Sequence, residues 1–186
     1  MKQSEVIEEL KSTIKRQIEK VEEFKSLGEL ALSTNPAKDS WNALQCLEHL
    51  NRYADFYVKE IGTRLRHRGS KTRIEDDVFN AGYWGNKFIK SMKPDENGQI
   101  KKMNTFKSKN PSLQEAKTDS LERFLEYQEQ WLSILDKAKE FDLNKNKCSL
   151  TIPIIKMNLG ATMQFVIAHQ ERHINQAERA LSAVEA

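Results

Sequence analysis

Two histidines four residues apart, His169 and His173, sit in the stretch Phe165-Val166-Ile167-Ala168-His169-Gln170-Glu171-Arg172-His173. On a helix, that spacing puts both imidazoles on one face with Cβ atoms ~6 Å apart. Two nitrogens so placed can converge on one metal ion at ~2.1 Å each. The pair runs in line with an apolar stripe of Leu159, Met163, Val166, Ala177 and Leu181. Buried imidazoles are costly unless each finds a hydrogen-bond partner or an ion, so ordinary hydrogen-bonded core histidines are the alternative reading. His49, among Cys46, Leu50 and Tyr53 beside a second apolar stripe, is the candidate third ligand; the fourth histidine is His67.

Three imidazoles with no fourth protein ligand leave one coordination position open. A water there is acidified toward neutrality and a thiol is deprotonated outright. Zinc suits three nitrogens, and nickel, cobalt or iron(II) fit as well. Residue 170 is Gln and Glu171 holds the third position of the motif, so the His-Glu-x-x-His arrangement of a zinc protease is absent. Nor do two helices carry Glu-x-x-His, as a di-iron bundle requires. Neighbours of the trio that could orient a substrate or the ligands are Gln45, Tyr53, Gln170 and Gln176. Trp41 is placed either to plug the bundle end beside them or to pack the core.

Positioning these residues takes long helices. Ile7, Leu10, Ile14, Val21, Phe24 and Leu27 mark one buried stripe over 3–32, closed by Thr34-Asn35-Pro36. Asp39 or Ser40 is a candidate cap for the next helix, with Trp41, Leu44, Leu47, Leu50, Ala54, Tyr57, Val58, Ile61 and Leu65 buried and a stop near Gly69. Ser112-Leu113-Gln114-Glu115 reads as a capping box opening a third helix with Leu121, Phe124, Gln128, Trp131, Leu135 and Ala138 on one face. Asn144–Ser149 is a polar connector, and Leu150–Ile155 is an extended apolar piece that Pro153 keeps out of a central strand. Asn158 can cap the fourth helix. At 1.5 Å per residue, His49 lies ~12 Å from its helix start, and His169 and His173 lie ~16 and ~22 Å from theirs. Measured from the other end of that helix they lie ~21 and ~15 Å in, so either relative direction brings the three roughly level.

The 186 residues suit one domain spanning 1–186. With 31% charged residues, 38% apolar, 7 Gly and 4 Pro, the chain reads as an all-α four-helix bundle rather than a fold of many short strands. Residues 70–111 form a long connection between helices two and three, with a short helix over Val78–Met92; a structureless loop of that length would be unusual. From Arg64 to Lys109 there are 12 Lys/Arg against 5 Asp/Glu, a local +7 within a net +3, which leaves −4 elsewhere. That basic piece is more simply a solvated helix end than a nucleic-acid surface, and no nucleic acid is expected. The acidic start lacks the apolar stretch of a signal peptide, and no apolar run approaches the ~20 residues needed to cross a bilayer. Cys46 and Cys148 form no Cys-x-x-Cys and read as reduced thiols of a cytoplasmic protein.

The stretch Ser40-Trp41-Asn42-Ala43-Leu44-Gln45-Cys46-Leu47-Glu48-His49-Leu50, with Trp at a helix start and His-Leu eight residues on, resembles the second helix of the DinB-like family. That family comprises four-helix-bundle metalloproteins and includes a bacillithiol-transferase-like branch. His169-Gln170-Glu171-Arg172-His173-Ile174-Asn175-Gln176 is similar to the family's closing helix, and Met103–Pro111 to its Lys-rich, Pro-ended connection. The resemblance covers nearly the whole chain, and the three histidines are its specific part. It implies an up-down-down-up bundle in which the long connection lets helices two and three run parallel. It also implies a divalent metal on His49, His169 and His173, and a homodimer. Relatives include bacterial thiol S-transferases acting with bacillithiol or similar low-molecular-weight thiols on small-molecule electrophiles. The expected activity is thus metal-dependent thiol transfer, against a hydrolase using the same ion on water, or a non-catalytic metal-binding stress protein.

Overall fold

Four long amphipathic helices form the frame: α1 (Gln3–Phe24), α3 (Ala43–Arg66), α5 (Asp119–Ala138) and α6 (Leu159–Glu185). Two short helices, α2 (Glu29–Ser33) and α4 (Gly82–Met92), sit in the connections. A hairpin of β1 (Lys147–Ser149) and β2 (Lys156–Asn158) precedes α6. The computed structural model describes residues 1–66, 77–94, 106–152 and 154–185; His67, Gly69, Lys71, Arg73 and Pro153 lie outside them.

Contacts between the helices set the topology. α3 packs on α5 and α6, and α1 packs on the same two, so α1 and α3 face each other across a diagonal. Ion pairs Lys11–Asp136 and Lys139–Glu8 join the start of α1 to the end of α5, which makes these two antiparallel. Gln17 donates to the Ile167 carbonyl and Lys20 pairs with Glu178, so α1 and α6 run together. Glu48 meets Ser120 and Arg123, and further along Asp55 meets Tyr127, so α3 and α5 are parallel. The bundle is up-down-down-up.

Several boundaries differ from the sequence reading, each for a local reason. α1 ends at Phe24, and α2 forms separately after Gly28, so the stripe over 3–32 is two helices. α3 is capped by Asn42 rather than Asp39 or Ser40. The Asn42 side chain accepts from the Gln45 amide at 2.8 Å, and the Gln45 side chain accepts from the Asn42 amide at 3.2 Å, a reciprocal box built from amides. Asp39 instead takes a left-handed turn at φ 61°. Val78 pairs with Lys2 in an isolated bridge, so α4 begins at Gly82. Ser112 does bond the Glu115 carboxylate, through its amide (2.8 Å) and hydroxyl (2.6 Å), but the turn it closes stops short of α5, which starts at Asp119. The connector 144–149 ends in β1, whose pairing with β2 was too short to show as alternation. Asn158 caps α6 by accepting from the Ala161 amide at 2.8 Å.

The long connection is tied down rather than loose where it is described. The Phe79 amide donates to the Met1 carbonyl, and Asn144 and Asn158 donate to the carbonyls of Val78 and Asn80. α4 then lies along α6 at close range. A Cβ on Gly85 would come within 2.7 Å of the Ala161 Cβ, so only glycine lets the two backbones approach this far.

The core falls into two apolar clusters. One holds Ile14, Tyr57, Trp131 and Ile167; the other holds Val21, Leu50, Phe124 and Ile174. Between them, α1 contributes Gln17, α3 Asn51, α5 Gln128 and α6 Gln170, all buried. Gln17 Oε1, Asn51 Oδ1, Gln170 Oε1, the neighbouring Trp131 Nε1 and both amide atoms of Gln128 have no protein partner among the described residues. A belt of amides thus divides the core at the level of His169 and His173.

Candidate metal centre

α3 and α6 run antiparallel, and that crossing brings His49 against His169 and His173. The three donor nitrogens lie within 4.8 Å of one another, and all three residues are buried. His49 Nε2 and His169 Nε2 are 3.3 Å apart. Tetrahedral nitrogens held at ~2.1 Å from one ion are ~3.4 Å apart, so this spacing suits a single ion.

Hydrogen bonds select the tautomers. His49 Nδ1 donates to the Lys109 carbonyl at 2.7 Å, and His173 Nδ1 donates to the Gln176 side-chain oxygen at 2.9 Å. Each bond leaves the Nε2 lone pair directed at the cluster, the usual arrangement of an oriented metal ligand. Burial depresses the basicity of all three rings. It lowers His49 to about 4 and His173 to about 3, and holds His169 well below the ordinary histidine value, with neighbouring imidazoles adding to the effect on His169 and His173. The rings are therefore neutral at pH 7, as a metal requires.

A pH dependence follows for the metal-free protein. The unfolded chain takes protons on these histidines near pH 6.5, whereas the folded chain resists them down to about 4 and 3 at His49 and His173. The unfolded state binds more protons across that interval, so stability is full above pH 6.5 and falls as pH drops toward 4. Melting of chelator-treated protein should show a loss already between pH 6.5 and 5, above the carboxylate range. A flat profile there would contradict the depressed basicity.

The segment 106–111 straps across α3 and carries the Lys109 carbonyl to His49. Arg52 donates to the carbonyls of Ser108 and Asn110, Lys109 Nζ donates to the Arg52 carbonyl, and Gln45 Nε2 donates to the Pro111 carbonyl at 3.2 Å. Trp41, half-buried, lies tilted against His49 and His173 with ring centroids 4.9 and 5.8 Å away, closing one side of the cluster.

The other side opens into a cleft of about 110 Å³. Tyr53 lines it, its ring 4.9 Å from His49 and 4.8 Å from His169, and burial pushes its phenol up to about 12. Gln45 and Gln170 do not line it: the first is spent on the α3 cap and the strap, the second belongs to the amide belt. The sequence reading missed the apolar wall of Phe88, Met92, Phe106, Ile152 and Phe165, and missed Arg172. Phe165, one turn before His169, was within reach of helical spacing; the wall residues on α4, the strap and the hairpin carry no such signal. Cys46 and Cys148 are buried, and burial pushes both thiols up to about 12, so neither is a nucleophile. No helix among the described residues is long and apolar enough to cross a membrane.

A family model described as the DinB superfamily matches residues 13–177, which include all three histidines. No curated protein and no solved structure matches the chain.

Proposed function

The chain belongs to the DinB superfamily, and from that premise we propose that it is a divalent-metal-dependent enzyme that transfers a low-molecular-weight thiol to a small electrophile. His49, His169 and His173 hold the ion, with zinc the best match to three neutral nitrogens. The observation that carries the reading is the convergence of three buried, neutral imidazoles at the floor of a solvent-open cleft. Closed structural sites use four protein ligands, and among the described residues only these three converge.

An ion there would acidify a thiol or a water in its remaining position. The chain's own residues do the rest. The Lys109 carbonyl and Gln176 fix the ligand rings, Trp41 shields one flank, and the apolar wall limits water around the reacting sulfur. The sulfur lone pair forms the new S–C bond, the leaving group departs with the pair of the bond that breaks, and the thiol proton passes to solvent. Thiol transfer is favoured over hydrolysis because, among the described residues, no Asp or Glu lines the cleft to serve as general base. A thiol, with an ordinary pKa near 8.5, needs less help to ionise than water does.

The test is to assay the purified protein for conjugation of cysteine to 1-chloro-2,4-dinitrobenzene and for hydrolysis of 4-nitrophenyl acetate. Each is measured as isolated, after chelation and after zinc is returned. Conjugation that chelation abolishes and zinc restores is the expected result. Ester hydrolysis alone would make the protein a hydrolase, and neither activity would favour a non-catalytic metal binder.

A further inference from the structure

Resting on the metal reading for its purpose, we infer that Arg52 is the positioning residue for His49: its guanidinium clamps the strap, so that the Lys109 carbonyl meets His49 Nδ1 and turns Nε2 toward the ion. Arg52 stands three residues after His49, on the same face of α3. Its three nitrogens take different partners. Nη1 donates to the Ser108 and Asn110 carbonyls at 3.4 and 3.3 Å, one on each side of Lys109. Nη2 pairs at 2.7 Å with Glu115, whose other carboxylate oxygen closes the Ser112 turn just after the strap. Nε faces Glu48, one turn back on α3, at 3.4 Å. The Arg52 carbonyl in turn accepts from Lys109 Nζ, so the strap is gripped by side chain and backbone at once.

The strap needs such a clamp. It holds a single 3₁₀ turn, Lys107–Lys109, too short to set its own direction against α3. A guanidinium is a rigid planar fork, so two carboxylates that fix Nε and Nη2 also aim Nη1. The 2.7 Å bond from His49 Nδ1 to the Lys109 carbonyl then selects one setting of the ring. Charge alone would have Arg52 do the opposite. Burial is the main reason that His49 resists a proton, and the charges of Lys109 and Arg52 add to it. The same charge opposes a dication beside His49. Removing Arg52 as a charge should therefore tighten zinc binding, whereas removing it as a clamp should weaken it, so the two roles differ in sign.

Two measurements on Arg52→Gln test this, with Arg123→Gln as control. Arg123 is the other guanidinium on Glu48, reaching it from α5 at 3.1 Å, so its loss strips charge from the same carboxylate and leaves the strap's bonds in place. By competition with a chromophoric chelator, Arg52→Gln should weaken zinc binding about tenfold, the low end for a partner beyond a ligand, since Lys109 Nζ and Gln45 still hold the strap. Arg123→Gln should leave it unchanged or tighter. The second measurement needs no metal. In metal-free protein labelled with ¹⁵N-histidine, the His49 Nδ1 proton should exchange with water about tenfold faster in Arg52→Gln than in the native protein or Arg123→Gln. Zinc binding unchanged or tightened in Arg52→Gln overturns the inference, and so does a proton that exchanges no faster. Should that variant fold poorly, Arg52→Lys keeps the charge but offers one nitrogen to four partners and should bind zinc about threefold or more weakly; native affinity there overturns the inference as well. A native protein that takes up no zinc ends the metal reading alone, and the exchange of the Nδ1 proton then decides the role of Arg52 toward His49.

Discussion

Replacing His49 with alanine should weaken zinc binding by about 10²–10³-fold and end any metal-dependent activity. Structural zinc sites yield ~10–16 kcal/mol over four ligands, or ~2.5–4 kcal/mol per ligand, which sets that range. His49 is the sole contribution of α3 to the cluster, so its loss leaves two ligands on one turn of α6. The change also removes the Nδ1 bond to the Lys109 carbonyl and so one anchor of the strap. Gln176→Ala, which leaves all three ligands and only frees His173 Nδ1, should cost a smaller ~10–100-fold. Competition with a chromophoric chelator, backed by elemental analysis, measures both. Zinc affinity unchanged in His49→Ala would mean that the ion sits elsewhere and would remove the basis of the enzyme reading.

Trp131→Ala should destabilise the protein by about 3–5 kcal/mol, the range for a buried tryptophan replaced by alanine. Trp131 is fully buried in the cluster that ties α5 to α1, among Ile14, Ile134, Leu135 and Ile167. Its indole N–H has no partner among the described residues, so Trp131→Phe breaks no hydrogen bond and should cost roughly half as much or less. Urea unfolding of the two variants gives the comparison. A loss near 1 kcal/mol in Trp131→Ala would show that the bundle closes over the space and that the ring is not packed as described.

The helices were legible because periodicity is a property of whole segments. Ile7, Leu10 and Ile14 on α1, or Leu121, Phe124 and Trp131 on α5, announce a buried face whichever neighbour covers it. The three histidines were legible by residue type and spacing, although their meeting depends on α3 and α6 crossing at the right height. Ends of elements were less legible. The stripe over 3–32 continues past Phe24 in pattern while the chain breaks at Gly28, and Asn42 competes for the cap of α3 with two equally good cap residues just before it. Backbone contributions left no trace at all. The oxygen that orients His49 belongs to the peptide of Lys109, sixty residues away, and any side chain could have stood there. The cleft wall is assembled from α4, the strap and the hairpin tip, pieces whose own patterns say nothing about where they dock.

The amide belt has a mechanical consequence for the site. Sliding α1 or α3 by a single turn, ~5.4 Å, would drive its amide into the leucines and isoleucines above or below and bring an apolar residue to the waist. It would also break the bond its amide makes across the bundle, Gln17 Nε2 to the Ile167 carbonyl or Asn51 Nδ2 to the Ser120 carbonyl, and a donor stranded in that way costs ~1–3 kcal/mol. Gln17 and Asn51 therefore act as detents against axial slip. A shift of one turn is also what it would take to carry His49 out of reach of its two partners.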